Sequence, residues 1–197
     1  MAKDVFPPTD RIIEDRVFQQ LMQQGAALRE LRFEQCTFER CDLSSADLGR
    51  SRFTECTFIG CDLSLVKLVG ASLQQVVFRE CKLMGVDFSV CSEMLFHITS
   101  VDCPMDHAVF EKRVMPRTRF TRCSLQGAVF EEADLQDAVF DDCDLTDAVF
   151  AGTDLRRADL TTVRGARIDP RGNDLRGTAF SVEGALALLS VFGVEVR

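Results

Sequence analysis

Counting in fives from Phe33 meets Leu or Phe at every step as far as Phe88, twelve positions in succession. A second run, in a different phase, starts at Phe110 and continues through Met115, Phe120, Leu125, Phe130, Leu135, Phe140, Leu145, Phe150 and Leu155 to Leu160, with Met115 its sole departure. Leu and Phe together make up about a fifth of the chain, so chance does not produce such runs. The residue two places before each centre is small, as at Cys36, Cys41, Ala46 and Ser51 in the first run and Cys123, Ala128, Ala133 and Ala138 in the second. A helix repeats at 3.6 residues and a strand at 2.0, so neither keeps one residue in five facing inward over runs as long as Phe33–Phe88 or Phe110–Leu160. A chain that turns a corner every five residues does, because each straight side then sends one large and one small side chain to the interior.

The rest of the composition sets limits on function. With 197 residues, of which 46% are hydrophobic, the chain can bury a sizeable core and is not a disordered segment. No run of eighteen uncharged apolar residues occurs and the start, Met1-Ala2-Lys3-Asp4-Val5-Phe6, has no apolar signal core. A cytoplasmic protein with no membrane contact is therefore expected. The 31 acids outnumber the 23 bases for a formal charge of -8, which opposes direct binding to nucleic acid and favours a cationic partner.

Segments such as Cys41-Asp42-Leu43-Ser44-Ser45, Ala46-Asp47-Leu48-Gly49-Arg50 and Ala133-Asp134-Leu135-Gln136-Asp137 resemble the A(D/N)LXX unit of the pentapeptide-repeat family. The resemblance covers roughly residues 28–180. It implies an all-β fold, a right-handed quadrilateral β-helix with four pentapeptides per turn and the Leu/Phe and small residues inside.

The nine cysteines argue independently for a turn of twenty residues. All nine fit the small position, and Cys36/Cys56, Cys41/Cys61/Cys81 and Cys103/Cys123/Cys143 each step by twenty. Cysteine clusters also serve metals and disulfides, but the count is odd and no CxxC occurs, so reduced packing residues are expected, with no metal and no cofactor. A Cys103–His107 pair is the one imaginable nucleophile and base. Cys103 falls in an inward slot where a thiol is inert, so no catalytic residue and no enzyme activity are expected.

Three regions depart from the repeat. Residues 1–27 are expected to be a loose tail and an imperfect first turn. Between Phe88 and Met105 lie three pentapeptides plus two residues, which requires a two-residue excursion within 89–104, with Ser92-Glu93-Met94 as the bulge. Glu111–Arg117 is a second loop candidate, because Arg113 takes a small-residue slot and Pro116 lacks a donor, with decay of the repeat as the equal alternative. In 181–197, Ser181 can cap a helix over Val182–Phe192 that Gly193 would end. Ala185, Leu188, Leu189 and Phe192 form one apolar stripe that could close the end of the solenoid. A second subunit would cover the remainder, giving a homodimer through Val182, Leu186, Leu189, Val191 and Phe192.

Charge is segregated. From Cys123 to Leu155 there is no Lys or Arg, while acids abound. Asp134, Asp144 and Asp154 stand just before a central Leu, where the resemblance to the family implies an Asp or Asn that makes corner hydrogen bonds. Glu131, Glu132, Asp137, Asp141, Asp142 and Asp147 are the candidate partner-binding residues, a solvated face being the alternative. The C-terminal segment from Asn173-Asp174-Leu175 through Ala185-Leu186-Ala187-Leu188-Leu189 is similar to the topoisomerase-binding branch, the Qnr-type quinolone-resistance and albicidin-resistance proteins. That resemblance implies a dimer shaped and charged like DNA that occupies DNA gyrase or topoisomerase IV and relieves poisoning. Lacking a clear long projecting loop, the sequence suits toxin immunity better than quinolone protection. The rival expectation is a scaffolding repeat protein without topoisomerase contact.

Overall fold

The structure is a computed structural model that describes residues 12–194. The expected N-terminal tail up to Arg11 and the last three residues lie outside the described residues. Four short strands, β1 (Ile12–Glu14), β3 (Arg32–Glu34), β5 (Arg52–Thr54) and β7 (Ser72–Gln74), stack in register as one face. A second face stacks β2 (Val17–Gln19), β4 (Thr37–Glu39), β6 (Thr57–Ile59), β8 (Val76–Arg79), β9 (Ile98–Val101), β10 (Arg119–Thr121), β11 (Val139–Asp141), β12 (Asp159–Leu160) and β13 (Ala179–Phe180). Single parallel bridges make the third face (Asp42, Asp62, Lys82) and the fourth (Val109, Val129, Val149), and they continue the first through Val114, Asp134, Asp154 and Asp174. Every pairing is parallel, and the chain forms a quadrilateral β-solenoid of about eight turns.

The period of five works because each side is only three residues long. In Arg32-Phe33-Glu34 the centre is buried and its neighbours point outward or into the corner. The corner's second residue takes positive φ, even where it is not glycine, as at Glu132, Asp137, Asp142 and Asp147. That conformation is unfavourable for an L-residue, and the fold offsets it with corner hydrogen bonds. Asp134, Asp144 and Asp154 each accept from the N–H two residues on, at 3.0, 3.0 and 3.1 Å. These three are structural aspartates. Inside, successive rings stack: Phe38 on Phe58 at 4.6 Å, Phe110 on Phe130 at 5.1 Å and Phe130 on Phe150 at 5.0 Å.

The phase shift is a two-residue excursion. Partners are twenty apart at Phe58↔Phe78 but twenty-two apart at Val76↔Ile98 and Phe78↔Ser100. The extra residues form a turn at Met94–Leu95, both exposed, with Leu95 at φ 55°. Phe96 turns inward instead and is buried. The shift joins the thiol columns: the Cys81 N–H reaches Cys103 Sγ at 3.4 Å, so Cys41, Cys61, Cys81, Cys103, Cys123 and Cys143 form one internal ladder. All nine cysteines are buried and free.

Glu111–Arg117, a loop candidate with repeat decay as the alternative, is a regular stretch of the solenoid, as repeat decay requires. Val114 bridges Asp134, Met115 is buried, and Pro116 sits at a corner where no donor is needed. Arg113 lies inside, 3% exposed, and donates to the Cys91 and Ser92 carbonyls at 3.0 and 3.3 Å. Its guanidinium lies 5.0 Å from the Phe96 ring centre. The arginine thus occupies space and satisfies carbonyls that the neighbouring excursion leaves behind.

The C-terminal helix α1 (Val182–Ser190) is shorter than expected. Ser181 caps it, accepting from the Gly184 N–H at 3.0 Å, and Gly193 closes the following turn at φ 70°. The expected capping stripe does not lie down as a whole: Leu188 packs against the core, whereas Ala185, Leu189 and Phe192 are exposed. Nine residues allow too few turns to carry the stripe across the end of the solenoid.

Candidate partner-binding surface

The six candidate acids fall within less than one turn, and the fold puts them on all four corners. Glu131 and Glu132 share the corner between faces four and one, Asp137 follows, Asp141 and Asp142 share the next, and Asp147 takes the last. No single flat face displays all six. Sequence neighbours five apart are therefore on different sides, and the spatial neighbours are twenty apart.

Reading along those columns brings in cations from outside the acid-only stretch. Arg157 binds both oxygens of Asp137 at 2.7 and 2.8 Å, and this bidentate hydrogen bond holds the Asp137 carboxyl below the usual carboxylate range. Arg164 stands 3.7 Å from Asp142 and 3.3 Å from Asp144. Lys112 lies 2.9 Å from Glu111 and 3.8 Å from Glu132. Asp141 accepts from the Thr162 hydroxyl at 3.3 Å. Among the described residues, the Glu131 and Asp147 side chains make neither an ion pair nor a hydrogen bond. Inspection in fives hides these counter-ions, whereas columns of twenty, already marked by the cysteines, reveal Lys112, Arg157 and Arg164.

The dimer candidates are available for contact. Val182 is 80% exposed and Phe192 54%, Leu186 and Leu189 are exposed at 40% and 41%, and Val191 is half-buried. Arg171 covers part of the Phe192 ring at 5.6 Å. A cleft of about 240 Å³ between the helix and the last turn is lined by Val163, Arg164, Ala166, Ile168, Phe180 and Leu188, among others.

The geometry opposes a nucleophilic pair. Cys103 points inward and donates to the Val101 carbonyl at 3.2 Å, while His107 is exposed with its ring against Gly127. No group of three or more His, Cys, Asp or Glu among the described residues is arranged to hold a metal. No helix among them is long and apolar enough to cross a membrane.

The pentapeptide repeat region profile matches residues 31–110, and the profile of pentapeptide repeats in eight copies matches 123–161. The chain belongs to the pentapeptide-repeat family. Curated proteins give no significant sequence match. Among solved structures, a trypsin-treated variant of QnrB1, a plasmid-mediated fluoroquinolone resistance protein, superposes at TM-score 0.64 with 22% identity over 92% of this chain and 99% of that one. Full-length QnrB1 gives 0.51 with 20% identity over 92% and 99%. HetL, a pentapeptide repeat protein involved in heterocyst differentiation regulation in the cyanobacterium Nostoc, gives 0.60 with 19% identity over 92% and 90%. At these identities the likeness is one of fold.

Proposed function

We infer that the protein is a DNA-mimicking binding protein that engages DNA gyrase or topoisomerase IV and protects it from a poison, as a cytoplasmic homodimer without enzymatic activity. The observation that carries this is charge density on a rigid rod. The turn from Glu131 to Phe150 holds eight carboxylates; three cations from adjacent turns bridge to Glu132, Asp137, Asp142 and Asp144, which leaves Glu131, Asp134, Asp141 and Asp147 without a salt bridge. Turns are spaced at about the strand separation of ~4.8 Å, a length of duplex DNA that carries about three phosphate charges. At this one turn the rod reaches the local charge density of DNA, a focused negative band that favours a cationic groove. QnrB1, which shares the fold, is a fluoroquinolone resistance protein, in keeping with a protective role. The open last turn and the exposed Val182, Leu186, Leu189 and Phe192 favour a two-fold joint through α1.

HetL favours a second reading, a regulatory or scaffolding protein with no topoisomerase contact. A supercoiling assay with purified gyrase, with and without a poison, separates them. Dose-dependent inhibition of supercoiling or rescue from the poison is the expected result. No effect, together with no binding at low salt, would leave the scaffold.

A further inference from the structure

Face four over three consecutive turns carries the triplet Ala-Val-Phe at 108–110, 128–130 and 148–150. Ala and Phe are buried, and Val109, Val129 and Val149 bridge one another in register, forming an outward apolar row. Val149 is 44% exposed and the other two are half-buried. The row lies between two corner columns. One holds Asp106-His107, Gln126-Gly127 and Thr146-Asp147; the other holds Glu111-Lys112, Glu131-Glu132 and Ala151-Gly152. Five acids border the valines against one cation, Lys112. Both candidate acids that lack an ion pair or side-chain hydrogen bond, Glu131 and Asp147, stand on these rims, one on each side. Elsewhere arginines intrude: Arg119 projects from face two between Arg117 and Arg122, Arg156 and Arg176 cross face one, and Arg164 crosses face three.

We propose that face four between Asp106 and Gly152 is the docking surface, and that its occupant is a cationic protein surface whose Lys and Arg stems lie across the valine row while their heads reach the rim carboxylates. This rests on the topoisomerase reading above and names the face that reading uses. Lys and Arg bury their methylene stems along apolar surface and keep their charge in a polar setting, so an apolar floor between acidic rims matches them at both ends. A surface that holds duplex DNA is rich in such side chains. The small residues Ala151 and Gly152 keep one rim low beside the valines, while on the other the His107 ring lies over Gly127. Binding then has a salt-sensitive part from Glu131, Asp147 and their neighbours and a salt-insensitive part from the valines.

The test is competition with DNA for gyrase by three proteins: the wild type, the double variant Val129→Lys/Val149→Lys, and an opposite-face control, Val77→Lys/Val139→Lys. All four positions point outward, and a thermal melt of each variant verifies folding. The face-four pair is expected to weaken binding about tenfold or more while the control stays within about twofold. A milder pair, Val129→Ser/Val149→Ser, is expected to lose affinity while keeping the wild-type salt slope. Gyrase binding by the wild type that survives the face-four change, or falls equally in the control, overturns this inference and leaves the topoisomerase reading standing. No binding by the wild type at any salt concentration overturns both.

Discussion

Among the described residues two side chains keep a buried polar atom without a hydrogen-bond partner, Arg113 at Nε and Ser100 at its hydroxyl. Ser100 stands in register between Phe78 and Phe120 in a column of rings. Ile98, two places earlier, takes the small slot and supplies the missing bulk. An unsatisfied buried hydroxyl costs free energy, so Ser100→Ala is expected to stabilise the protein by about 1 kcal/mol in urea unfolding. A loss of similar size would show that the hydroxyl is bonded in solution. Phe130 illustrates the opposite case. Its ring stacks on Phe110 and Phe150 and meets Phe140 edge-on at 5.8 Å. Phe130→Ala is expected to cost roughly 3–5 kcal/mol, because rigid turns above and below cannot collapse into the cavity. Unchanged unfolding would refute the inward assignment of the repeat's centre.

At the scale of elements, the excursion and the thiol ladder each make a testable demand. Arg113 links one turn to the Met94–Leu95 excursion through two carbonyls and the Phe96 ring. Arg113→Ala would orphan those carbonyls and open a cavity. Amide exchange over Glu93–His97 is expected to accelerate well before the rest of the solenoid responds. Uniform protection in that variant would mean the loop holds itself. For the thiols, burial pushes Cys56 and Cys91 up to about 12 from an ordinary value of 9.0. The folded state therefore keeps protons that the unfolded state releases above about pH 9. Stability is full below that pH and falls as pH rises, by about 1.4 kcal/mol per unit for each such thiol. Urea midpoints between pH 7 and 10.5 measure this, and Cys56→Ala should flatten the decline. A flat profile in the wild type would argue against buried, protonated thiols.

For the molecule as a whole, the unresolved demand is at its C-terminal end. Of the helix's large apolar side chains Leu188 packs against the core, while β13 offers an unpaired edge and Val182, Leu186 and Leu189 face outward. Leu186→Glu is expected to give a folded monomer where the wild type is a dimer, because the carboxylate is costly only when buried in the joint. Light scattering decides. A dimer after the change would reject this geometry, and a monomeric wild type would reject the joint itself.

The period of five, by itself, determined a chain that turns a corner every five residues, the inward cysteines and the need for a two-residue excursion, while the corner role of Asp134, Asp144 and Asp154 came with the family resemblance and is met by their hydrogen bonds. These follow from local rules repeated at every corner, so each pentapeptide carries its own instructions. The charge pattern did not follow in the same way. Sequence shows an acid-only run, yet Asp137, Asp142 and Glu132 gain Arg157, Arg164 and Lys112 as neighbours from other turns. In a solenoid the partner of a side chain lies twenty residues away, and the excursion makes that twenty-two in one place. The same stacking decided that Arg113 is an internal pin instead of a loop residue, and it aligned Val109, Val129 and Val149 into one strip. Side-chain identity is local, but the electrostatic and apolar surface belongs to columns that exist only once the turns are stacked.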